Sequence, residues 1–470
     1  MRCLFILLPM LVACSIHGQN RIGTGAVQNL YQQYCLSCHG PDLAGGLGGS
    51  LLDPSAWQQV GRSVSFLEYV REGNLEAGMP SFKDGLSDQQ IRSLQIYIDE
   101  VRQQTSREQA PVVRKTDSGF SAGDYKFEVE TVIEGLDTPW AIHFLSATHA
   151  LITERPGDLR IWKDGQLSPP VRGTPEVLAE RQGGLLEVAA HPDYEQNGWV
   201  YLGFTATAEN ARDPSAYMTK VVRGRLDGNQ WVDQEVIFEV PEAFHTSRGV
   251  HFGTRFVFQD GYLFFSIGDR GAKNQAQELS RPNGKIHRIH DDGRIPEDNP
   301  FVEKKDAYKS IWTYGNRNPQ GLDAHPVTGA IYATEHGPRG GDETNLIQKG
   351  RNYGWPVITY GMNYSGTPIT DKTAAPGMEQ PLLHWTPSIA VCGIDFYQGN
   401  AFPNWKHDLF VGGLASQELH RLRIDGAEVT EHEIILKGEG RVRDVASGPD
   451  GYLYLVLNRP DKIVRLIPVQ

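Results

Sequence analysis

The chain has 470 residues, among them 51 glycines, 28 prolines and 5 cysteines, and a formal charge of −12 at pH 7. The acidic balance argues against a nucleic-acid partner, which wants a basic face, and five cysteines are too few for a disulfide scaffold. With 39 % hydrophobic residues a sizeable core can form, and the glycine and proline content favours turn-rich β structure over a helical bundle.

Arg2 precedes an apolar run from Leu4 to Ala13. That run is shorter than the roughly 20 residues that span a bilayer and has the layout of a secretory signal. Leu11-Val12-Ala13-Cys14 resembles the bacterial lipobox, in which the cysteine is lipidated; ordinary cleavage near Gly18 or Gln19 is the alternative. The expectation is a signal peptide over 1–19 and an exported chain. It would be periplasmic, or anchored to the bacterial membrane through a lipid on Cys14 and by no other segment.

Cys35-Leu36-Ser37-Cys38-His39 has the C-x-x-C-H spacing of covalent haem attachment. Two thiols one turn apart add to the haem vinyls, and the adjacent imidazole of His39 ligates the iron. A redox dithiol or half a zinc site would use the same cysteines, but the His follows directly and no second cysteine pair exists. Met79, in the loop Gly78-Met79-Pro80, suits the second axial position, and Met/His ligation fits electron transfer. Helical spacing is expected over Ala26 to Tyr34 and Ser63 to Arg71. Ser87 with Gln90 reads as a capping box opening the amphipathic run Ile91, Leu94, Tyr97, Ile98, Val101. The segment 20–104 resembles a class I cytochrome c domain, small and all-α. The polar stretch 105–124, broken by Pro111, reads as a linker that would let this domain adjust its position.

From Tyr125 onward short apolar runs alternate with glycine-rich turns, and a unit repeats. One half is an apolar strand, a turn and another apolar strand, as in Leu186 to Asp193 leading to Trp199-Val200-Tyr201-Leu202; other copies begin near Trp140, Arg255, Gly321, Gly393 and Val445. The other half is a basic-apolar alternating strand, as at Arg160, Arg223 and Arg421, with looser versions at Ile286 and Lys462. Six copies over 125–470 take roughly 58 residues each, room for four strands and a loop, and radial packing leaves only short edges. The expectation is an all-β six-bladed propeller. Tyr125 to Ile133 would close the ring against the C-terminal sheet.

Polar clusters fall at strand ends: Gln182-Gly183-Gly184, His251 to Arg255, Gly315 to Gly321, Glu335 to Glu343, and Arg441-Val442-Arg443-Asp444. Arg441 and Arg443 alternate onto one side of a strand and suit a multiply anionic ligand that each can clamp bidentately. The loop Glu335 to Glu343 offers bare carbonyls and carboxylates, the hard oxygens that Ca²⁺ takes.

At QGGLL (182–186), HFGTR (251–255), GNRNPQGL (315–322), EHGPRGGDETNL (335–346), NYGWP (352–356) and RVRDV (441–445) the sequence resembles the pyrroloquinoline quinone (PQQ)-dependent glucose/sorbosone, or aldose sugar, dehydrogenases. The resemblance implies His251 as the base for the anomeric hydroxyl of an aldose, with Gln182 and Asp269 orienting base and substrate. It implies Arg317, Asn318, Arg441 and Arg443 around PQQ and Tyr364 in the sugar pocket. The carbonyls of Gly337 and Pro338 would ligate one Ca²⁺; Glu343, Tyr353 through its carbonyl, and Glu379 would form a second calcium site. Two departures stand out: Ala415 lies where glucose-specific members carry a lysine, and Ser388 replaces a threonine beside Pro387. The implied function is aldose oxidation to a lactone, with electrons passing from PQQ to haem c and on to a downstream acceptor, a cytochrome or oxidase. The alternative is a non-catalytic propeller that binds carbohydrate or protein. Cys392 stands alone, unlike the adjacent cysteines of the larger eight-bladed PQQ alcohol dehydrogenases.

Overall fold

The computed structural model describes residues 26–53, 65–109, 113, 119–209 and 211–469. The expected signal, Cys14 and the first residues of the helix expected from Ser63 lie outside them. Among the described residues no helix is long and apolar enough to cross a membrane.

The N-terminal part is helical. A helix spans Ala26–Tyr34, a short turn Leu36–His39 carries the haem motif, and a third helix covers Phe66–Glu72 with the Ser65 hydroxyl accepting from Glu68 N–H. The long helix Asp88–Gln109 opens on the expected box: Ser87 N–H donates to Gln90 Oε1 at 2.8 Å and Gln90 N–H to Ser87 Oγ at 3.3 Å. Its buried Ile91, Leu94 and Ile98 pack with Val27, Tyr31 and Val70.

Six antiparallel sheets follow. Their first strands start at Pro139, Leu185, Phe256, Pro319, Val391 and Arg441, here blades I to VI, and each contacts the next around a closed ring. Tyr125–Ile133 pairs with Lys462–Val469, Val129 opposite Leu466, so the last blade joins both ends of the propeller chain. The basic-apolar repeat occupies the third strand of five blades. Its cations pair with acids on the neighbouring outer strand: Arg223 with Glu235, Arg421 with Glu433, Arg465 with Glu130. Cross-strand charge pairs of this kind stabilise a sheet face that meets water.

The axis is crowded and polar. Arg255 donates to Glu187 at 3.1 Å, Asp444 at 2.9 Å, Gln320 O at 2.7 Å and Arg443 O at 2.9 Å, with Cys392 Sγ at 3.8 Å. Asp444 accepts from Ile142 N–H at 3.3 Å. Through one guanidinium and one carboxylate, all six blades are tied at the centre. Gly393 has to be glycine there, since a Cβ would lie 2.1 Å from Asp444 Oδ1.

The stretch 105–124 differs from a free linker. The long helix runs on to Gln109, and Phe120–Ala122 adds a strand beside Tyr125–Ile133. The haem domain is also docked rather than loosely tethered: Arg339 meets Glu100 in a buried ion pair, Thr386 N–H donates to Gln103 Oε1, and Arg107 donates to Pro387 O. A second stripe on the long helix, Glu100, Gln103 and Arg107, makes these contacts.

Candidate active site

One cavity of about 560 Å³ gathers most of the expected site. His251, Gln182, Arg317, Asn318, Arg441, Arg443 and Tyr364 all line it, brought from strand ends of different blades. Arg155, Arg181 and Arg459 join them, making six arginines against a single lining carboxylate, Asp461. In a chain of net charge −12 this is a local reversal of sign, and it selects an anionic occupant.

His251 is held from two sides. Its N–H donates to Gln182 Oε1 at 2.9 Å, and its Nδ1 lies 2.6 Å from Asp269 Oδ1. Asp269 is 1 % exposed against 16 % for the imidazole. Burial alone would raise its carboxyl, but hydrogen bonds from His251 and Gly271 and the nearby Arg317 charge bring it below the usual range. An ionised carboxylate only accepts, so Nδ1 carries the proton and Nε2 keeps its lone pair. Burial, with Arg317 adding to it and Asp269 opposing, lowers the His251 pKa, so the ring is neutral near pH 7.

The backbone is strained where the ring is presented. His251 has φ +58°, and Arg181, Ala390 and Arg459, also lining the cavity, have φ of +53°, +55° and +56°. Such conformations cost roughly 1–3 kcal/mol each and cluster at functional sites. Close approach adds a constraint at Gly268, where a Cβ would lie 2.4 Å from His251 O and 2.6 Å from Asn318 Oδ1. Arg270 stacks on Phe252 at 3.5 Å and donates to Val250 O, bracing the same loop from below.

The cation side is equally fixed. Arg317 donates to His336 O at 2.8 Å and lies over Trp355. Arg443 sits 3.9 Å from the Trp140 ring centre, with Asn458 Oδ1 at 3.2 Å and Cys392 Sγ at 3.4 Å. Asn318 Oδ1 accepts from Gly253 N–H. Leu414 lines the cavity beside Ala415, so no lysine reaches in from that loop. The Ser388 hydroxyl is engaged with Asp342, at 2.8 Å from both oxygens.

Trp355 and His336 went unassigned in the sequence. Trp355 Nε1 donates to Asp269 Oδ2 at 2.8 Å from 86 positions away, and His336 lines the cavity with its pKa pushed well down by burial. Trp355 stands in the NYGWP stretch, so the motif marked it without its role.

The calcium candidates divide. Gly337 N–H donates to Asp342 Oδ1 at 2.8 Å, next to Pro338 and to the His336 carbonyl that Arg317 holds. Glu343 lies opposite Glu335 on the adjacent strand; burial raises both carboxyls, and their mutual repulsion raises Glu343 further. The buried Asn345 Oδ1 beside them has no hydrogen-bond partner. Two carboxylates and an orphan oxygen form a hard donor set that fits a cation. Among the described residues no group of three or more His, Cys, Asp or Glu is arranged to hold a metal, so the Asn345 oxygen and main-chain carbonyls would have to take part. Tyr353 is buried, its hydroxyl donating to Leu346 O, while Glu379 pairs with Arg351 at 3.4 Å.

A second cavity, about 620 Å³ and largely apolar, is lined by Cys35, Cys38, His39 and Met79 together with Leu86, Leu94 and Ile98. His39 Nδ1 lies 2.8 Å from Gly49 O. A carbonyl only accepts, so Nε2 is the nitrogen left for iron. The donor set and the apolar walls fit a covalent haem.

Each of the two parts of the chain matches a known family. Residues 136–465 match the glucose/sorbosone dehydrogenase family, and residues 24–98 match the cbb3-type cytochrome c oxidase subunit III family. An aldose sugar dehydrogenase of Escherichia coli (strain K12) is 43 % identical over 348 residues, 72 % of this chain and 92 % of that protein. The solved structure of the soluble E. coli aldose sugar dehydrogenase in its apo form shares 40 % identity with a TM-score of 0.69, covering 73 % of this chain and all of the other. A PQQ-bound aldose sugar dehydrogenase from Streptomyces coelicolor is 26 % identical with a TM-score of 0.59, over 74 % of this chain and all of that one. The chain belongs to the PQQ-dependent glucose/sorbosone dehydrogenase family, with a cytochrome c domain fused ahead of its propeller.

Proposed function

We propose that the protein oxidises aldose sugars at the anomeric carbon to lactones, with PQQ as oxidant, and relays the electrons through haem c to a respiratory acceptor. The observation that carries this reading is the cavity itself: six arginines and one carboxylate surround a neutral imidazole whose proton sits on the buried nitrogen. Bound PQQ supplies a two-electron acceptor with three carboxylates. Arg317, Asn318, Arg441 and Arg443 would hold those carboxylates and the quinone edge. His251 takes the anomeric hydroxyl proton on Nε2 while hydride leaves C1, so the sugar loses two electrons and two protons. Asp269 and Gln182 keep the ring oriented, and Tyr364, 69 % exposed at the cavity mouth, lines the sugar side. The Gly337 and Pro338 carbonyls would hold a Ca²⁺ near the quinone. Glu343, the Tyr353 carbonyl and Glu379 would hold the second, Glu379 only after leaving Arg351. In the same reading the protein is exported and works in the periplasm, free or tethered through Cys14.

The test reconstitutes the full-length haem protein with PQQ and Ca²⁺, adds aldoses, and follows both a soluble dye and the haem α-band. Aldose-dependent dye reduction with growth of the α-band is expected. Bound PQQ without aldose oxidation would leave a binding propeller, and dye reduction without haem reduction would remove the relay.

Two further results follow. Ca²⁺ should raise the thermal midpoint of the wild-type protein, by about 2.7 kcal/mol of stabilisation at a hundredfold excess over Kd, and do so far less in Glu343→Gln. An equal shift in both would move the cation elsewhere. Met79→Ala should leave the haem attached through its thioethers but lower its reduction potential in a spectroscopic titration; an unchanged potential would remove Met79 as a ligand.

A further inference from the structure

Among the described residues the haem domain touches the propeller behind the cofactor cavity, through the Glu100–Arg339 pair and the turn at Met362. Arg339 Nε and Nη2 donate to Glu100 Oε1 and Oε2 at 3.1 and 3.0 Å, and the two side chains are 6 % and 3 % exposed. Arg339 stands next to Pro338 and three residues from His336, whose carbonyl holds Arg317. Ser388 N–H donates to the Arg339 carbonyl, and Ser388 Oγ in turn holds Asp342, the acceptor for Gly337 N–H. One helical turn beyond Glu100 the contact is fixed as well. Gln103 Oε1 accepts from Thr386 N–H at 3.0 Å, and Thr386 Oγ1 accepts from Gly341 N–H at 3.1 Å.

A second contact reaches the substrate side. Met362 is fully buried among the haem domain's own core residues, and its carbonyl accepts from Arg339 N–H. Gly366 closes the same turn against Val27; a Cβ there would lie 3.2 Å from Val27 Cγ1. Tyr364, at the cavity mouth, is carried between these two anchored positions.

We propose that the haem domain is a structural part of the quinone site, with Glu100 and Arg339 as a positioning pair that braces loop 336–342 and, with Met362, the turn that carries Tyr364. This rests on the reading of the cavity as a PQQ site. Glu100 touches no substrate or cofactor; it acts through Arg339 on the loop that does. A buried guanidinium left without its carboxylate is strongly destabilised, so losing Glu100 releases the loop locally before it affects the remote blades.

Hydrogen exchange on the full-length haem protein, before PQQ and Ca²⁺ are added, tests this directly. In Glu100→Ala, segments 336–342 and 362–366 should exchange about 10²–10³-fold faster, the order expected when one partner of a buried ion pair is removed. Blade I should be unchanged. PQQ added to the same protein should then half-saturate at a correspondingly higher concentration. Glu100→Gln, which keeps an oxygen acceptor for Arg339, should fall between the two. Wild-type exchange in both segments of a folded Glu100→Ala protein would overturn the proposal, as would an even rise across all six blades. Failure of the functional reading would look different: a wild-type protein with both segments protected that oxidises no aldose.

Discussion

Replacing His251 by alanine should lower aldose-dependent turnover by about 10²–10⁴-fold, the usual contribution of a positioned general base, while PQQ still binds. The prediction rests on the 2.6 Å contact to Asp269, which leaves Nε2 as the free base. Its pH dependence has a definite sign. The His251 pKa is lowered from 6.5, chiefly by burial, so the base form is already present at neutral pH. It is lost only as pH falls through that lowered value. The acid limb of kcat/KM should therefore lie below pH 6.5. Asp269→Asn should cost much of the same factor, because an amide can offer N–H to Nδ1 and stabilise the wrong tautomer. Full dye-linked activity in His251→Ala would exclude the imidazole as the base.

Arg255→Met should destabilise the propeller by roughly 3–5 kcal/mol, the penalty for breaking a buried ion pair from one side. Arg255 is 4 % exposed and answers both Glu187 and Asp444 while holding the Gln320 and Arg443 carbonyls. Without it two carboxylates face each other at the axis where six blades meet. Denaturant unfolding followed by tryptophan fluorescence reads the loss. Arg255→Lys should recover only part of it, since an ammonium cannot fork between two acids and two carbonyls. A change within about 0.5 kcal/mol, as for an ordinary surface site, would show that the six-blade junction does not depend on this residue. The arginine lies four residues from His251, so a looser axis should also be felt in the loop that presents the base.

The exposed contrast between the two arginine sets explains their division of labour. Arg255 is saturated by carboxylates and carbonyls within the barrel of first strands, whereas Arg441 and Arg443 face the cavity with no carboxylate hydrogen-bonded to either among the described residues. A guanidinium already paired holds the fold together; one left facing a cavity is available to a ligand, the role proposed for Arg441 and Arg443.

Much of this was open to a reader of the sequence because it is written locally. The Cys35–His39 spacing, the Ser87–Gln90 cap and the apolar stripe of the long helix each depend on residues within a few positions of one another. The blades are legible for the same reason: strand period and turn residues recur six times and a basic-apolar third strand five times, and the alternating strand at Tyr125 was open to closing the ring. The sequence also marked His251, Arg441 and Arg443, since alternation alone puts both arginines on one side of a strand.

Other features exist only once the chain is folded. Trp355 reaches Asp269 across 86 positions, and Arg339 reaches Glu100 across 239. Glu100 and Gln103 drew no assignment in the sequence and Arg107 fell in the stretch expected to be a linker, because a polar residue carries no sign of what will cover it. Burial and partner, and not residue type, decide whether a charge is a surface ornament or a fixed point. Arg255 shows the same limit: its motif was legible, but its role at the junction of the blades requires the ring to be closed. The sequence by itself determined the two folds, the C-x-x-C-H motif and the arginine-rich character of the site. Only the tertiary structure decided that the two folds stand in one fixed relation, because the buried pair that fixes it joins residues no local pattern can connect.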